Sequence, residues 1–261
     1  MKIGIIGLGV VGNACKFGFE LLGHEVVSHD IRFDTTIKDV LDTRIVYVCV
    51  PTAMKEDGSC DISVVESVID DLAAHDYKGT VAIKSTVVPG TTEELVDRTR
   101  MNIAFVPEFL RERCAITDFT ENHDVCIIGA QDDSTYELIK NCHGDLPEKY
   151  VQLEPTEAEF CKYFNNVYNA MLVVFANSFY EACKHKNVNY KKVKDAVAKR
   201  KHIANNYLEC NANFRGFGGM CLPKDLHALA AMLRSTDIDF FDDLLKENDK
   251  YEITVFKGMR K

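Results

Sequence analysis

In Phe214-Arg-Gly-Phe-Gly-Gly-Met-Cys221-Leu-Pro-Lys-Asp225 a cysteine stands just before a proline that suits the first turn of a helix. A thiol at a helix start meets the positive end of the dipole, and Lys224 adds a cation, so the nucleophilic thiolate is favoured. Gly216, Gly218 and Gly219 leave room beside the sulfur. The alternative is a buried structural thiol, the reading given to most of the other nine cysteines. Lys162 and Asn166 are four residues apart and share one helix face. An ammonium and an amide presented together stabilise a developing oxyanion, or the lysine takes a proton if burial depresses its pKa. An exposed lysine beside a solvated asparagine is the competing reading.

A second pattern is Gly7-Leu-Gly9-Val10-Val11-Gly12, which follows an apolar strand and opens a helical pattern. Gly7 permits the tight turn, Gly9 lets a pyrophosphate approach the backbone, and Gly12 allows helix and strand to pack closely. The helix start then offers N–H groups to phosphates. Eighteen residues after Gly12, at the end of the second strand, Asp30 is placed to accept hydrogen bonds from a ribose diol. A carboxylate there repels a 2′-phosphate and favours NAD over NADP, an inference that Arg32 weakens. A third cluster, Lys84-Ser85-Thr86 and Pro107-Glu108-Phe-Leu-Arg111-Glu112, falls after two further strands, where ligands of open α/β sheets bind. Glu108 and Glu112 could instead cap or solvate a helix.

These residues need a frame. Short apolar runs at Lys2–Ile6, Glu25–His29, Ile45–Val50, Thr80–Ile83, Ile103–Val106 and Val125–Ile128 alternate with helical patterns, which predicts a parallel, doubly wound sheet. From Glu157 to about Lys186 there is neither Gly nor Pro, and Phe160, Phe164, Val167, Met171, Phe175 and Phe179 recur at helical steps. One helix of about 30 residues is expected there, near 45 Å long. Shorter helices are expected at Tyr190–Lys199, Pro223–Leu233 and Phe240–Glu247. The reading is an α/β chain in two domains: 1–152, a Rossmann-type dinucleotide-binding domain, and 153–261, an all-α domain on the long helix.

Forty acidic residues against 31 basic ones give a net charge of −9, a field that disfavours nucleic acid or an anionic membrane surface. The basic run Tyr190–His202 reads as a helix with Val193, Ala196 and Val197 on a buried side. The ten cysteines are scattered without a C-x-x-C pair and read as reduced thiols, with neither a disulfide framework nor a zinc site expected. No run of 18 apolar residues suggests a membrane span, so a cytoplasmic protein is expected.

Together these motifs resemble the nucleotide-sugar dehydrogenases, the family of UDP-glucose and GDP-mannose 6-dehydrogenases. The resemblance rests on GLGVVG, VPT at 50–52, KSTVVPGTT at 84–92, PEFLRE at 107–112, EAEFCKYFNN at 157–166 and GFGGMCLPKD at 216–225, in the family's order. It implies a two-step, NAD-dependent oxidation of a sugar-nucleotide alcohol to a carboxylate, with UDP-glucose the first substrate expected. Cys221 would carry a thiohemiacetal and then a thioester. Lys162 and Asn166 would stabilise the oxyanion, Asp225 would orient water or act with Lys162 as base, Thr86 would hold that water, and Glu108 would serve thioester hydrolysis. Contacts to NAD are implied for Gly7, Gly9, Val10, Val11, Gly12, Asp30, Pro51, Thr52, Ser85, Thr86 and Glu112. Substrate contacts are implied for Glu108, Phe109, Leu110, Arg111, Lys162, Asn166, Phe214, Arg215, Gly216, Phe217 and Gly218. Pairing of two copies through the long helix is a further expectation.

The sequence departs from the family at Arg113, where glycine is usual, and at Met220, where serine is frequent. It also ends 36 residues after Asp225, whereas the family continues into a third domain over the nucleotide, which is therefore expected to be missing. Two rivals remain: a β-hydroxyacid dehydrogenase, which makes one hydride transfer and needs no thiol, and a non-catalytic nucleotide-binding remnant.

Overall fold

The computed structural model describes residues Met1–Tyr251; the end of the expected helical domain, 252–261, lies outside the described residues. Seven strands, β1 (Lys2–Ile6), β2 (Glu25–His29), β3 (Ile45–Val48), β4 (Thr80–Ile83), β5 (Ile103–Phe105), β6 (Cys126–Gly129) and β7 (Tyr150–Leu153), form one sheet. Their order is β2-β1-β3-β4-β5-β6-β7. The α/β class and the long helix expected from the sequence are both present. Two compact units divide the chain: Met1–Ala53 with Asp61–Lys162, and Met54–Cys60 with the described residues from Tyr163 onward.

In the first unit helices cover both faces of the sheet, which is why its central strands β3, β4 and β5 are buried along their whole length rather than alternating. On one face Ile3, Ile5, Ile45 and Tyr47 pack with Phe19 of α1 (Val10–Leu21), Phe119 of α4 (Ala115–Thr120) and Ile139 of α5 (Asp133–His143). On the other, Ile6, Val46, Val48 and Ile83 pack with Val65, Ile69 and Leu72 of α2 (Ser63–Ala74) and Leu95 of α3 (Thr91–Thr99). Burying Ile69 or Leu72 contributes roughly 1.5–3 kcal/mol each. The sheet is not wholly parallel as expected: β5 meets β6 antiparallel through the single pair Phe105↔Gly129. Strand β7 carries no apolar run, because it is an edge strand whose Val151 and Gln152 face solvent, and so the sequence did not mark it.

The long helix α6 spans Pro155–His185. Its continuation in the second unit is followed by α7 (Tyr190–Val197), α8 (Leu222–Met232) and α9 (Phe240–Asn248). Helix α7 buries a different side from the one expected. Val197 is exposed and Lys194 is buried, because its ammonium is engaged by Glu209 and Asp195, each at 3.0 Å, and by Asn205 at 3.2 Å. Among the described residues no helix is long and apolar enough to cross a membrane.

Within the first unit the start of α6 is tied to α3 by a carboxylate. Glu159, fully buried, accepts Gly90 N–H at 2.6 Å, Thr92 N–H at 2.8 Å and the Thr92 hydroxyl at 2.5 Å. It thereby satisfies N–H groups that a helix start leaves unpaired. Burial nevertheless pushes its carboxyl up to about 7, against these donors. A carboxyl raised in the folded state stabilises fully below its unfolded pKa, near 4.5, and that contribution is lost as pH rises through about 7. The difference corresponds to about 3 kcal/mol. Urea unfolding of wild type and Glu159→Gln from pH 4.5 to 8 is expected to show a stability loss in the wild type that the variant lacks. Parallel curves would sink the assignment.

Candidate active site

The order β2-β1-β3 reverses direction at β1, which opens a crevice beyond the C-terminal ends of β1 and β3. Gly7 turns the chain there with φ 92°, and a Cβ on it would lie 2.5 Å from the Cys49 carbonyl oxygen. A Cβ on Gly12 would lie 1.9 Å from Gly7 O, so α1 packs as close to the turn as a backbone can. By contrast, nothing lies within 4 Å of a Cβ on Gly9, the N-cap of α1, which no side chain caps. Open space over an uncapped helix start fits a pyrophosphate. Asp30, buried at the end of β2, holds its carboxylate against the same loop by accepting Leu8 N–H at 2.7 Å. The open space at this loop and the Asp30 carboxylate beside it fit a dinucleotide.

The other expected cofactor residues rim the same sheet end. Val10 and Pro51 are exposed, Val11, Thr52 and Thr86 half-buried, and Glu112 lies exposed in a short 3-10 turn, Glu112–Cys114. The hydroxyl of Ser85 donates to Val50 O at 2.7 Å and thus fixes the chain just before Pro51. Lys84 is buried, donating to Val106 O at 3.3 Å with its ammonium over the rings of Tyr47 and Phe119.

Still in the first unit, Lys162 of α6 meets Glu108, which follows β5. Its ammonium donates to Glu108 Oε1 at 2.9 Å and Glu108 O at 2.5 Å, and lies over the Phe109 ring at 5.7 Å. Burial raises the Glu108 carboxyl, but Lys162, the Leu110 N–H and Lys84 outweigh it and hold the group below its ordinary value. Arg111 is turned to α4 in a two-pronged contact with Asp118, Nε to Oδ2 at 2.9 Å and Nη2 to Oδ1 at 2.6 Å. That guanidinium keeps Asp118 well below the usual carboxylate range.

In the second unit Cys221 is the N-cap of α8 and the one exposed thiol among ten cysteines, none of them in a disulfide. Its carbonyl accepts Asp225 N–H at 2.9 Å, the first turn of the helix. The Asp225 side chain is fully buried beneath, accepting Asn166 Nδ2 and Lys224 Nζ, both at 2.5 Å. Lys224 is therefore engaged by a carboxylate, where the sequence had assigned it to the thiol. The preceding loop turns at Gly216 and Gly219 with φ of 63° and 86°. Phe214 is exposed, Gly218 half-buried and the Phe217 ring buried. Arg215 lies between the rings of Tyr180 and Tyr251, 4.8 and 4.7 Å away, and pairs with Glu181 at 2.7 Å.

Two residues that sequence reasoning missed hold this loop. Asn177 of α6, buried, accepts Arg215 Nε at 2.7 Å and Gly216 N–H at 3.2 Å. Asn248 of α9, also buried, accepts Phe217 N–H at 2.8 Å and donates to Phe217 O at 3.2 Å. Asn177 had a visible signal, a lone amide within the apolar run Met171–Ala176 and its continuation; Asn248, in a charged segment, had none.

Comparison with known proteins gives the family. Residues 28–146 match the NAD binding domain of the UDP-glucose/GDP-mannose dehydrogenase family, and residues 156–250 match its central domain. The UDP-glucose 6-dehydrogenase AglM of Haloferax volcanii is 30% identical over 287 residues, covering 90% of this chain and 66% of that protein. A GDP-mannose 6-dehydrogenase of Pseudomonas aeruginosa is 27% identical over 288 residues, covering 92% and 66%. The structure of a UDP-glucose dehydrogenase from Pyrobaculum islandicum superposes with a TM-score of 0.86 at 28% identity, over 95% of this chain and 68% of that one. The chain thus spans about two thirds of the length of these relatives. With both domain matches in order along it, an NAD-binding domain followed by a central domain, this chain belongs to the UDP-glucose/GDP-mannose dehydrogenase family.

Proposed function

We propose that the chain carries out the NAD-dependent, four-electron oxidation of a nucleotide sugar at a primary alcohol, with UDP-glucose as its first substrate, in a reducing cytoplasmic setting. The observation that carries this reading is Cys221: the exposed thiol of the ten, at the start of α8, over a buried Asp225 shared with Asn166. NAD, when bound, accepts the hydride at each of the two oxidations. Asp225 and Lys162 take the alcohol proton, with Thr86 holding the water that carries it away. The Cys221 thiolate then adds to the aldehyde carbon and keeps that reactive product on the protein. Asn166 and Lys162 stabilise the resulting alkoxide, whose oxidation leaves a thioester. Glu108, kept ionised by Lys162, takes a proton from the attacking water, and the carboxylate leaves as the thiolate is restored. One water is consumed and two NADH are formed for each sugar.

In this reading the residues 1–152 bind NAD and the residues from 153 on carry the thiol and the pairing surface. That surface is the stripe of Phe160, Phe164, Tyr168, Phe175 and Phe179 along α6, all exposed, Phe164 at 75%. The family's GDP-mannose members keep GDP-mannose open as an alternative substrate, and the assay panel below decides between them.

Wild type with UDP-glucose, GDP-mannose and UDP-N-acetylhexosamines is expected to release two NADH per sugar for one of them. Cys221→Ser is expected to lose at least about a thousandfold in turnover. Glu108→Gln is expected to stall with a sugar ester on Cys221, visible as added mass. One NADH per sugar, insensitive to Cys221, would instead identify a single-step hydroxyacid dehydrogenase. Binding without any turnover would identify a remnant.

Light scattering after gel filtration tests the pairing. Wild type is expected to run at twice the chain mass of 29.4 kDa, and Phe164→Asp with Phe175→Asp at the mass of one chain. A monomeric wild type would remove the dimer from the proposal.

A further inference from the structure

Asp30 is placed to take the adenosine ribose of the dinucleotide, yet its carboxylate is already saturated. Oδ1 accepts Arg32 N–H at 2.9 Å and Arg32 Nε at 2.8 Å. Oδ2 accepts Leu8 N–H at 2.7 Å and Arg32 Nη2 at 2.8 Å. A carboxylate offers about four lone-pair positions, and four donors fill them. Two of these donors are backbone N–H groups fixed by the loop and strand end. The other two belong to the Arg32 guanidinium, which is also held by Leu8 O at 2.7 Å and lies 5.7 Å from the Phe33 ring.

Two consequences follow from this count. A ribose diol brings two hydroxyl donors, and they reach the carboxylate only by replacing the guanidinium. The gain from binding an unmodified ribose is therefore reduced by the loss of a two-pronged, charge-assisted contact. A 2′-phosphate, in contrast, has no need of the carboxylate. It meets an Asp30 whose charge is neutralised by a guanidinium, and that guanidinium still has the two N–H groups of Nη1 outside the network. Its side chain is 59% exposed, so it turns toward such a ligand without unfolding anything.

We propose that Arg32 is a specificity-determining residue of the dinucleotide site: by occupying Asp30 it narrows the preference for NAD, and this domain also binds NADP. Arg32 lowers the affinity for NAD and raises that for NADP, so one substitution moves the two in opposite directions. The inference concerns the dinucleotide domain alone and does not depend on Cys221 working as proposed.

The test is titration of wild type and Arg32→Ala with NADH and with NADPH, read by the fluorescence of the reduced nicotinamide, with no sugar present. Wild type is expected to bind both. The variant is expected to bind NADH more tightly and NADPH more weakly, with the ratio of the two Kd values rising at least about tenfold. A smaller rise overturns the proposal, as does a wild type that binds NADH alone or neither nucleotide. Asp30 keeps both backbone donors in the variant, so the fold is expected to survive. If thermal melting nonetheless shifts, Arg32→Gln is read by the same criterion.

Discussion

A carboxylate with no contact with water needs its hydrogen bonds and a compensating charge from the protein. Asp225 meets that condition through Asn166 and Lys224, and much of the second unit follows from it. The pair joins α8 to α6, which sets where the first turn of α8 begins and hence where Cys221 stands. Lys224 is engaged by Asp225, and the N–H groups at the start of α8 favour an anion at the position that Cys221 takes. Removing either partner would leave a buried polar atom of Asp225 unsatisfied.

The glycine-rich loop before Cys221 is held by a different device. Gly216 and Gly219 adopt left-handed backbone conformations and supply no side chains of their own. Order therefore comes from outside the loop, through the amides of Asn177 and Asn248 on main-chain atoms of Gly216 and Phe217. An amide suits this task because it donates and accepts in one plane, as Asn248 does with both polar groups of Phe217. The loop's main chain is thus held at Gly216 and Phe217 by side chains of α6 and α9.

How much of this could be read from the sequence depended on whether a signal was local. The sheet's central strands and the helix α6 were legible because burial imposes a period on neighbouring residues. Gly7, Gly12 and Asp30 were legible because a tight turn and a close packing admit few residue types. Strand β7 was not, since an edge strand with exposed residues has no apolar signature. The buried side of α7 was misread because Lys194 is buried by carboxylates fifteen residues and one residue away, and pairing of that kind leaves no period. Asn248 and the saturation of Asp30 are likewise products of three-dimensional contact. The sequence showed Arg32 beside Asp30 but not that its guanidinium fills the carboxylate.

One pattern runs through five cations, three in the first unit and two in the second, although Lys84 meets a carbonyl and two rings instead. Arg32 faces Asp30, Lys162 faces Glu108, Arg111 faces Asp118, Arg215 faces Glu181 and Lys224 faces Asp225. Although the chain carries a net charge of −9, none of these five cations is left bare, and each is neutralised at contact distance. At the dinucleotide loop the donors are neutral, the N–H groups around Gly9, whose dipoles favour an anion without adding charge. Such donors distinguish ligands by shape more than by total charge. Discrimination between two nearly identical dinucleotides accordingly comes down to the few side chains, Asp30 and Arg32 foremost, that stand where those ligands differ.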